Sequence, residues 1–88
     1  MKEQDLIDLG FERTDVSEIE SGGDPFHYYT LDFTTGFSLI SQASDEVIDN
    51  EWVVEIFNTE DKIGFVDKNE LEQFINIVKR NTDVIETT

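Results

Sequence analysis

An apolar stripe near the C-terminus is the feature that most constrains what this chain can fold into. Its members are Leu71, Phe74, Ile75 and Val78. They recur at the i, i+3, i+4, i+7 spacing of one helix face. Asp67 stands where a helix N-cap is expected, and Glu70 completes a capping-box pattern. A helix with one apolar face needs a second layer to pack on, and the pattern of the preceding residues indicates a sheet.

The segment before this helix has the pattern of short antiparallel strands separated by tight turns. Residues 26–34, FHYYTLDFT, are rich in aromatic side chains and predict a strong strand. Thr35 and Gly36 connect it to the next strand as a hairpin. The expected elements are a helix over 2–9 that ends at Gly10, a weak edge strand over 11–19, a turn over 21–25, strands over 26–34, 37–42, 51–58 and 62–66, a loop or single helical turn over 43–50, and the final helix.

The order of these elements predicts the fold class α+β. We expect a short N-terminal helix, a four- to five-stranded antiparallel sheet and a C-terminal amphipathic helix packed on one face of the sheet. The chain has 88 residues, which is the size of one domain. We assign residues 1–81 to that single α+β domain and residues 82–88 to a C-terminal tail.

The stronger strands carry apolar residues on both faces, although one helix can cover only one face. Alternation places Trp52, Val54 and Ile56 on one face and Val53, Glu55 and Phe57 on the other. Phe26 and Tyr28 likewise share one face of their strand. Two arrangements stay open for the second face of the sheet. Either the N-terminal helix packs over it, or it forms an exposed apolar surface fringed by carboxylates, as binding sites often do.

Acidic residues outnumber basic ones by a wide margin. The sequence has 21 aspartates and glutamates against 6 lysines and arginines, which gives a net charge of −15. No base lies between Arg13 and Lys62, so the acids of that interval have no basic partner nearby in the sequence. Such a charge disfavours direct binding to nucleic acid or to anionic lipid, and it favours a basic protein as the partner.

Several features bear on the cellular compartment. The chain lacks cysteine, which excludes disulfides and thiolate metal sites. The N-terminus holds acids where a signal peptide needs an apolar stretch. No apolar run approaches the roughly 20 residues of a membrane span. We expect a soluble intracellular protein without membrane contact.

The residues that carry enzyme chemistry are sparse. His27 is the single histidine and stands within an aromatic strand, where a structural role is the simplest interpretation. No Ser-His-acid or Cys-His set is evident, and SGGD at 21–24 lacks the lysine of a phosphate-binding loop. The acids at 45, 46, 49 and 51 lack the glycine and the spacing of a calcium loop. We predict no enzyme activity, no catalytic residues, no metal and no cofactor.

A group of acids occupies one predicted strand and the loops at its two ends. They are Asp45, Glu46, Asp49, Glu51, Glu55, Glu60 and Asp61. Same-face residues of a strand lie about 6.7 Å apart, a pitch comparable with that of DNA phosphates, one per about 3.4 Å on each strand. We expect these acids to form an anionic ridge that docks into a basic groove, with Phe26, Tyr28 and Phe57 as apolar anchors. The alternative is a solvated acidic surface that only keeps the protein soluble.

The whole chain resembles the small acidic proteins of bacteriophages and mobile elements. The resemblance lies in size, charge and layout: Leu9, Gly10 and Phe11 near the N-terminus, a short antiparallel sheet and a final amphipathic helix. Several anti-CRISPR inhibitors in that group are nucleic-acid mimics that occupy basic channels of Cas nucleases. The resemblance implies an inhibitor in the cytoplasm of a bacterial host cell that competes with nucleic acid for a nuclease surface. It transfers no catalytic residue.

Other functions also stay open. An immunity protein or antitoxin would use the same charge to neutralise a basic toxin nuclease. A homodimeric structural module would use the second sheet face for self-association. An enzyme or metal protein would need a site that the sequence does not display.

Overall fold

Five antiparallel strands pair in the order in which they occur in the sequence. The computed structural model describes residues 1–34, 37–57 and 63–86, with side chains for 1–33, 37–57 and 63–81. The elements are α1 Glu3–Asp8, β1 Glu12–Val16, α2 Glu18–Ser21, β2 Phe26–Thr34, β3 Phe37–Ser41, a 3-10 turn Ser44–Glu46, β4 Val54–Ile56, β5 Gly64–Phe65 and α3 Lys68–Glu86. The predicted α+β class, with a short first helix, an antiparallel sheet and a final helix, is confirmed.

The hydrophobic core lies between one face of this sheet and the helices α1 and α3. Cross-strand partners share a face, and the register pairs Leu31 with Leu39, Leu39 with Ile56, and Val54 with Phe65. The buried apolar residues are Met1, Leu6, Phe11, Tyr29, Leu39, Trp52, Val54, Leu71 and Ile75. We call the side of the sheet that carries this cluster the core face.

Helix α3 packs through the stripe that the sequence predicts. Asp67 Oδ2 accepts a hydrogen bond of 3.2 Å from the Glu70 N–H, which is the expected N-cap contact. Leu71 and Ile75 are buried, and the ring of Phe74 lies 4.9 Å from that of Phe65. The helix runs to Glu86, past residue 81, where the domain is expected to end and the C-terminal tail to begin.

Helix α1 lies on the same side of the sheet as α3. Leu6 is its buried residue and belongs to the core cluster. The helix ends as expected at Gly10, whose φ of 96° is left-handed and suits glycine. The arrangement in which the N-terminal helix covers the second face of the sheet is therefore wrong, because the one buried side chain of α1 enters the core instead.

Several predicted strands are shorter than expected. The strand expected over 62–66 is present as β5, Gly64–Phe65, with residue 62 outside the described residues. The segment 11–19 forms β1 and then the single-turn helix α2, because Ser17 Oγ accepts from the Glu20 N–H and starts a helix there. The strand expected over 51–58 is reduced to Val54–Ile56. Asp49 and Asn50 have left-handed φ values of 53° and 59°, which turn the chain just before it.

The remaining segments differ less from expectation. The expected helical turn at Ser44 is present as a 3-10 turn, whereas the hairpin residues Thr35 and Gly36 lie outside the described residues. None of the described helices has both the length and the apolar composition of a membrane span.

Candidate functional site

The face of the sheet opposite the core carries apolar side chains that α1 and α3 leave uncovered. We call it the open face. Its residues in and beside the strands include Phe26, Tyr28, Thr30, Ser38, Ile40, Val53, Glu55 and Phe57. Phe26, Tyr28, Ile40 and Val53 are half-buried, and the side chain of Phe57 is 53% exposed. Contiguous apolar surface of this kind is typical of binding sites.

A recess of about 410 Å³ opens in this face. It is lined by Phe26, Tyr28, Ile40, Ser41, Gln42, Ala43, Glu46 and Glu55. Strands β2 and β3, the 3-10 turn and β4 all contribute to its walls. We call it the open-face recess.

The open-face recess lies where β3 separates from β2, after Ile40, the last β3 residue that pairs with β2. Beyond that point serine hydroxyls satisfy the β2 backbone in place of a strand. The Tyr29 N–H donates to Ser41 Oγ at 2.9 Å, and the His27 N–H donates to Ser44 Oγ at 3.0 Å. The Gln42 side chain instead contacts the residue before β4: its Oε1 accepts a hydrogen bond of 3.2 Å from the Val53 N–H. The strands thus separate without leaving these backbone donors unpaired.

Two carboxylates in the open-face recess have no intramolecular partner in the part of the chain that the structure describes. Glu46 comes from the 3-10 turn and Glu55 from β4, and neither takes part in an ion pair or a side-chain hydrogen bond there. Their negative charge is therefore free to meet a ligand. Aromatic rings beside unpaired carboxylates are a combination that suits a cationic ligand.

The other predicted acids that the structure describes do not line the open-face recess. Asp45 is exposed beside Glu46 in the 3-10 turn, and Asp49 is exposed in the turn that precedes β4. Glu60 and Asp61 lie outside the described residues. The structure thus brings Glu46 and Glu55 to the same recess as two of the predicted anchors, Phe26 and Tyr28, while Phe57 lies on the open face beyond its lining.

Glu51 has basic partners inside the molecule, although both lie far from it in the sequence. Its Oε1 lies 2.8 Å from Lys2 Nζ, and its Oε2 lies 3.0 Å from the Met1 amine. The Lys2 hydrogen bond, followed by that of the amine, lowers the pKa of Glu51 from 4.5 to about 2. The Met1 amine also donates to the carbonyls of Trp52 and Val66. Glu51 therefore anchors the first residue of the chain to the sheet, and its charge is largely matched.

A second polar cluster lies on the core face, where Glu3 of α1 meets β2. Glu3 Oε2 accepts a hydrogen bond of 2.6 Å from the Tyr29 hydroxyl and lies 2.6 Å from His27 Nε2. The Tyr29 hydrogen bond is the main cause that lowers the pKa of Glu3, whereas burial, aided by Glu3, raises the pKa of Tyr29. Trp52 closes the cluster with its ring 5.7 Å from that of His27.

This cluster fits the structural role expected for His27, because each polar group has a partner and the contacts join α1 to the sheet. Among the described residues no three histidines or carboxylates are placed to hold a metal ion.

Sequence reasoning misses part of the recess lining. Ile40 could be found, because alternation within FSLIS puts it opposite the core residue Leu39. Gln42 and Ala43 could not be found from the sequence, since their position depends on where β3 separates from β2. Family models, curated proteins and solved structures give no match to this chain, so its function has to be inferred from the open face itself.

Proposed function

We propose that this protein is a small acidic inhibitor that binds a basic protein surface and competes there with nucleic acid. A nuclease is the partner we favour, with a guide-loaded Cas effector as the archetype. The observation that carries the proposal is the open face, where the aromatic residues Phe26 and Tyr28 adjoin the unpaired carboxylates of Glu46 and Glu55.

The charge of the molecule supports a basic partner. A net charge of −15 repels nucleic acid and anionic lipid but attracts a cationic groove and speeds the encounter with it. Grooves built for nucleic acid are the most cationic surfaces that many proteins present. Half-buried aromatic residues on the open face supply the desolvated anchors that a stable interface needs.

Displacement of DNA tests this proposal. Labelled target DNA is bound to guide-loaded Cas nucleases and, in parallel, to basic toxin nucleases, and its release by the protein is followed by fluorescence anisotropy. We expect release that weakens as salt is raised, because screening reduces the attraction between opposite charges. Release from a toxin nuclease alone would identify an immunity protein.

Matched charge reversals locate the surface. The double variant Glu46→Lys, Glu55→Lys should lose at least about tenfold in apparent affinity, or about 1.4 kcal/mol. The control Glu70→Lys, Glu72→Lys makes the same charge change on exposed residues of α3, which packs on the core face. Equal losses in both variants, or no release from any nuclease, would contradict the proposal.

Self-association through the open face is the second candidate, favoured by the same uncovered apolar residues. In a two-fold dimer the two copies would present the same patch to each other, which brings Glu46 and Glu55 close to their own counterparts. Like charges facing each other in an interface oppose it. Sedimentation velocity at micromolar concentration decides between the two candidates. A dimer whose stability changes in the Glu46→Lys, Glu55→Lys variant would replace the inhibitor proposal.

A further inference from the structure

We infer, within the function proposed above, that the open-face recess receives an arginine side chain of the basic partner. The lining combines aromatic rings with two carboxylates that come from different elements. This combination suits a flat cation that stacks with one surface and donates hydrogen bonds from its edge.

The aromatic part of the lining comes from neighbouring same-face positions of β2. Phe26 and Tyr28 lie about 6.7 Å apart along the strand, and both are half-buried, so part of each ring stays accessible. A guanidinium group is weakly hydrated and stacks on aromatic rings, whereas an ammonium group holds its water more tightly. The rings therefore favour arginine over lysine.

The carboxylates complete the site. Glu55 pairs across the sheet with Ile40 on one side and with Gly64 on the other. Because Gly64 has no side chain, β5 does not crowd Glu55, and an added Cβ there would lie only 3.2 Å from Val53 Cγ1. Arginine offers five N–H donors in one plane, so a single guanidinium group can donate to more than one acceptor of the lining.

A second recess in the described part of the chain shows why the charge balance matters. It measures about 340 Å³ and borders β1 and the turn before β2. Arg13 and Asp15 both line it, and their side chains pair with each other at 2.8 Å. The second recess thus already contains a cationic side chain, that of Arg13. None of the lining residues of the open-face recess is basic.

Binding of peptides that differ at a single residue tests the inference without any nuclease. Three short peptides with uncharged, capped ends differ at one central position, which is arginine, lysine or the neutral isostere citrulline. Each is titrated into the labelled protein and followed by heteronuclear NMR. We expect the arginine peptide to shift the amide signals of Phe26, Tyr28, Glu46 and Glu55, to bind at least about threefold more tightly than the lysine peptide, and to lose binding on conversion to citrulline.

Charge-neutral variants supply the control. The double variant Glu46→Gln, Glu55→Gln should raise the Kd of the arginine peptide about tenfold, which is about 1.4 kcal/mol. The variant Glu70→Gln, Glu72→Gln removes the same charge from α3 and should leave the Kd unchanged. The spectra of both variants also show whether the fold is intact.

Equal affinity for arginine and lysine, or equal weakening in the two double variants, would overturn the inference, since each result indicates attraction to bulk charge. The two proposals can fail separately. Arginine binding without DNA release from any nuclease refutes the inhibitor function alone. Nuclease inhibition that depends on Glu46 and Glu55, without preference for the arginine peptide, refutes the arginine site alone.

Discussion

At the scale of single residues, the acidic side chains divide into those matched within the molecule and those that face outward. Glu51 and Glu3 are of the first kind, each with two partners from distant parts of the chain. Glu46 and Glu55 are of the second kind among the described residues. Matched carboxylates contribute to stability, whereas unmatched ones repel each other and are suited to binding a cation.

Replacement of Glu51 tests the first kind. The variant Glu51→Gln should unfold at lower urea concentration than the parent at neutral pH, because it loses the contacts with Lys2 and the Met1 amine. The pKa of Glu51 is depressed to about 2, so this carboxylate stabilises the fold above its ordinary pKa of 4.5. The contribution is lost as pH falls from there through the folded-state value. The difference between parent and variant should therefore shrink across that range.

The control for this experiment is Asp49→Asn. Asp49 is exposed two positions away, and asparagine tolerates its left-handed φ of 53°. We expect little change in stability. A Glu51→Gln variant that stays as stable as this control at neutral pH would show that the Glu51 contacts do not hold the chain in solution.

Local residue roles could be predicted, and long-range pairs could not. Gly10 and Asp67 mark helix ends by rules that involve only their neighbours in sequence, and both predictions are confirmed. Lys2 and Glu51 are 49 positions apart. No pattern within the acidic segment indicates that one of its members meets the start of the chain.

At the scale of elements, the main structural feature is the separation of β3 from β2. Ser41 is buried, accepts from the Tyr29 N–H and donates to the Gln42 carbonyl at 2.8 Å. The hydroxyl replaces a strand carbonyl as the acceptor for β2. The same separation creates the open-face recess, so one serine supports both the sheet and the candidate site.

Removal of that hydroxyl should be costly. The variant Ser41→Ala leaves the buried Tyr29 N–H without its acceptor, and we expect a loss of about 1–3 kcal/mol in the free energy of unfolding. Urea denaturation followed by the fluorescence of Trp52, the single tryptophan, measures it. Ser38→Ala is the matched control in the same strand, since the Ser38 side chain has no hydrogen bond among the described residues. Equal effects would mean that water replaces the lost acceptor.

Element types could be predicted better than element placement. The stripe of α3 and the aromatic pattern of β2 each identify an element from periodicity alone, and both are confirmed. Periodicity does not say on which side of the sheet α1 lies. That choice depends on Leu6 entering the core and on Glu3 reaching Tyr29, which are tertiary contacts.

At the scale of the whole molecule, repulsion among 21 acids opposes the folded state. Salt screens it: the Debye length falls from about 30 Å near 0.01 M to about 8 Å at 0.15 M. Over that range we expect the Tm to rise by about 4–8 °C, which corresponds to about 1 kcal/mol for a domain of this size. Thermal melts followed by circular dichroism measure the change.

Choline chloride at the same ionic strength is the control for this melt, because it screens charge without offering a metal cation. An equal rise in Tm in both salts is expected. A Tm that does not change with salt would contradict the view that the acids repel one another, and a rise with sodium alone would indicate a specific cation site.

The sequential strand order determines what a growing chain exposes during synthesis. Each strand can pair with the one made just before it, so hairpins can close early and folding involves mostly local contacts. Helix α3, however, is made after all five strands. Until it emerges from the ribosome, the sheet lacks its main cover on the core face, and none of the described elements packs on the open face. The nascent protein is therefore most prone to aggregation in the interval between the completion of β5 and the docking of α3.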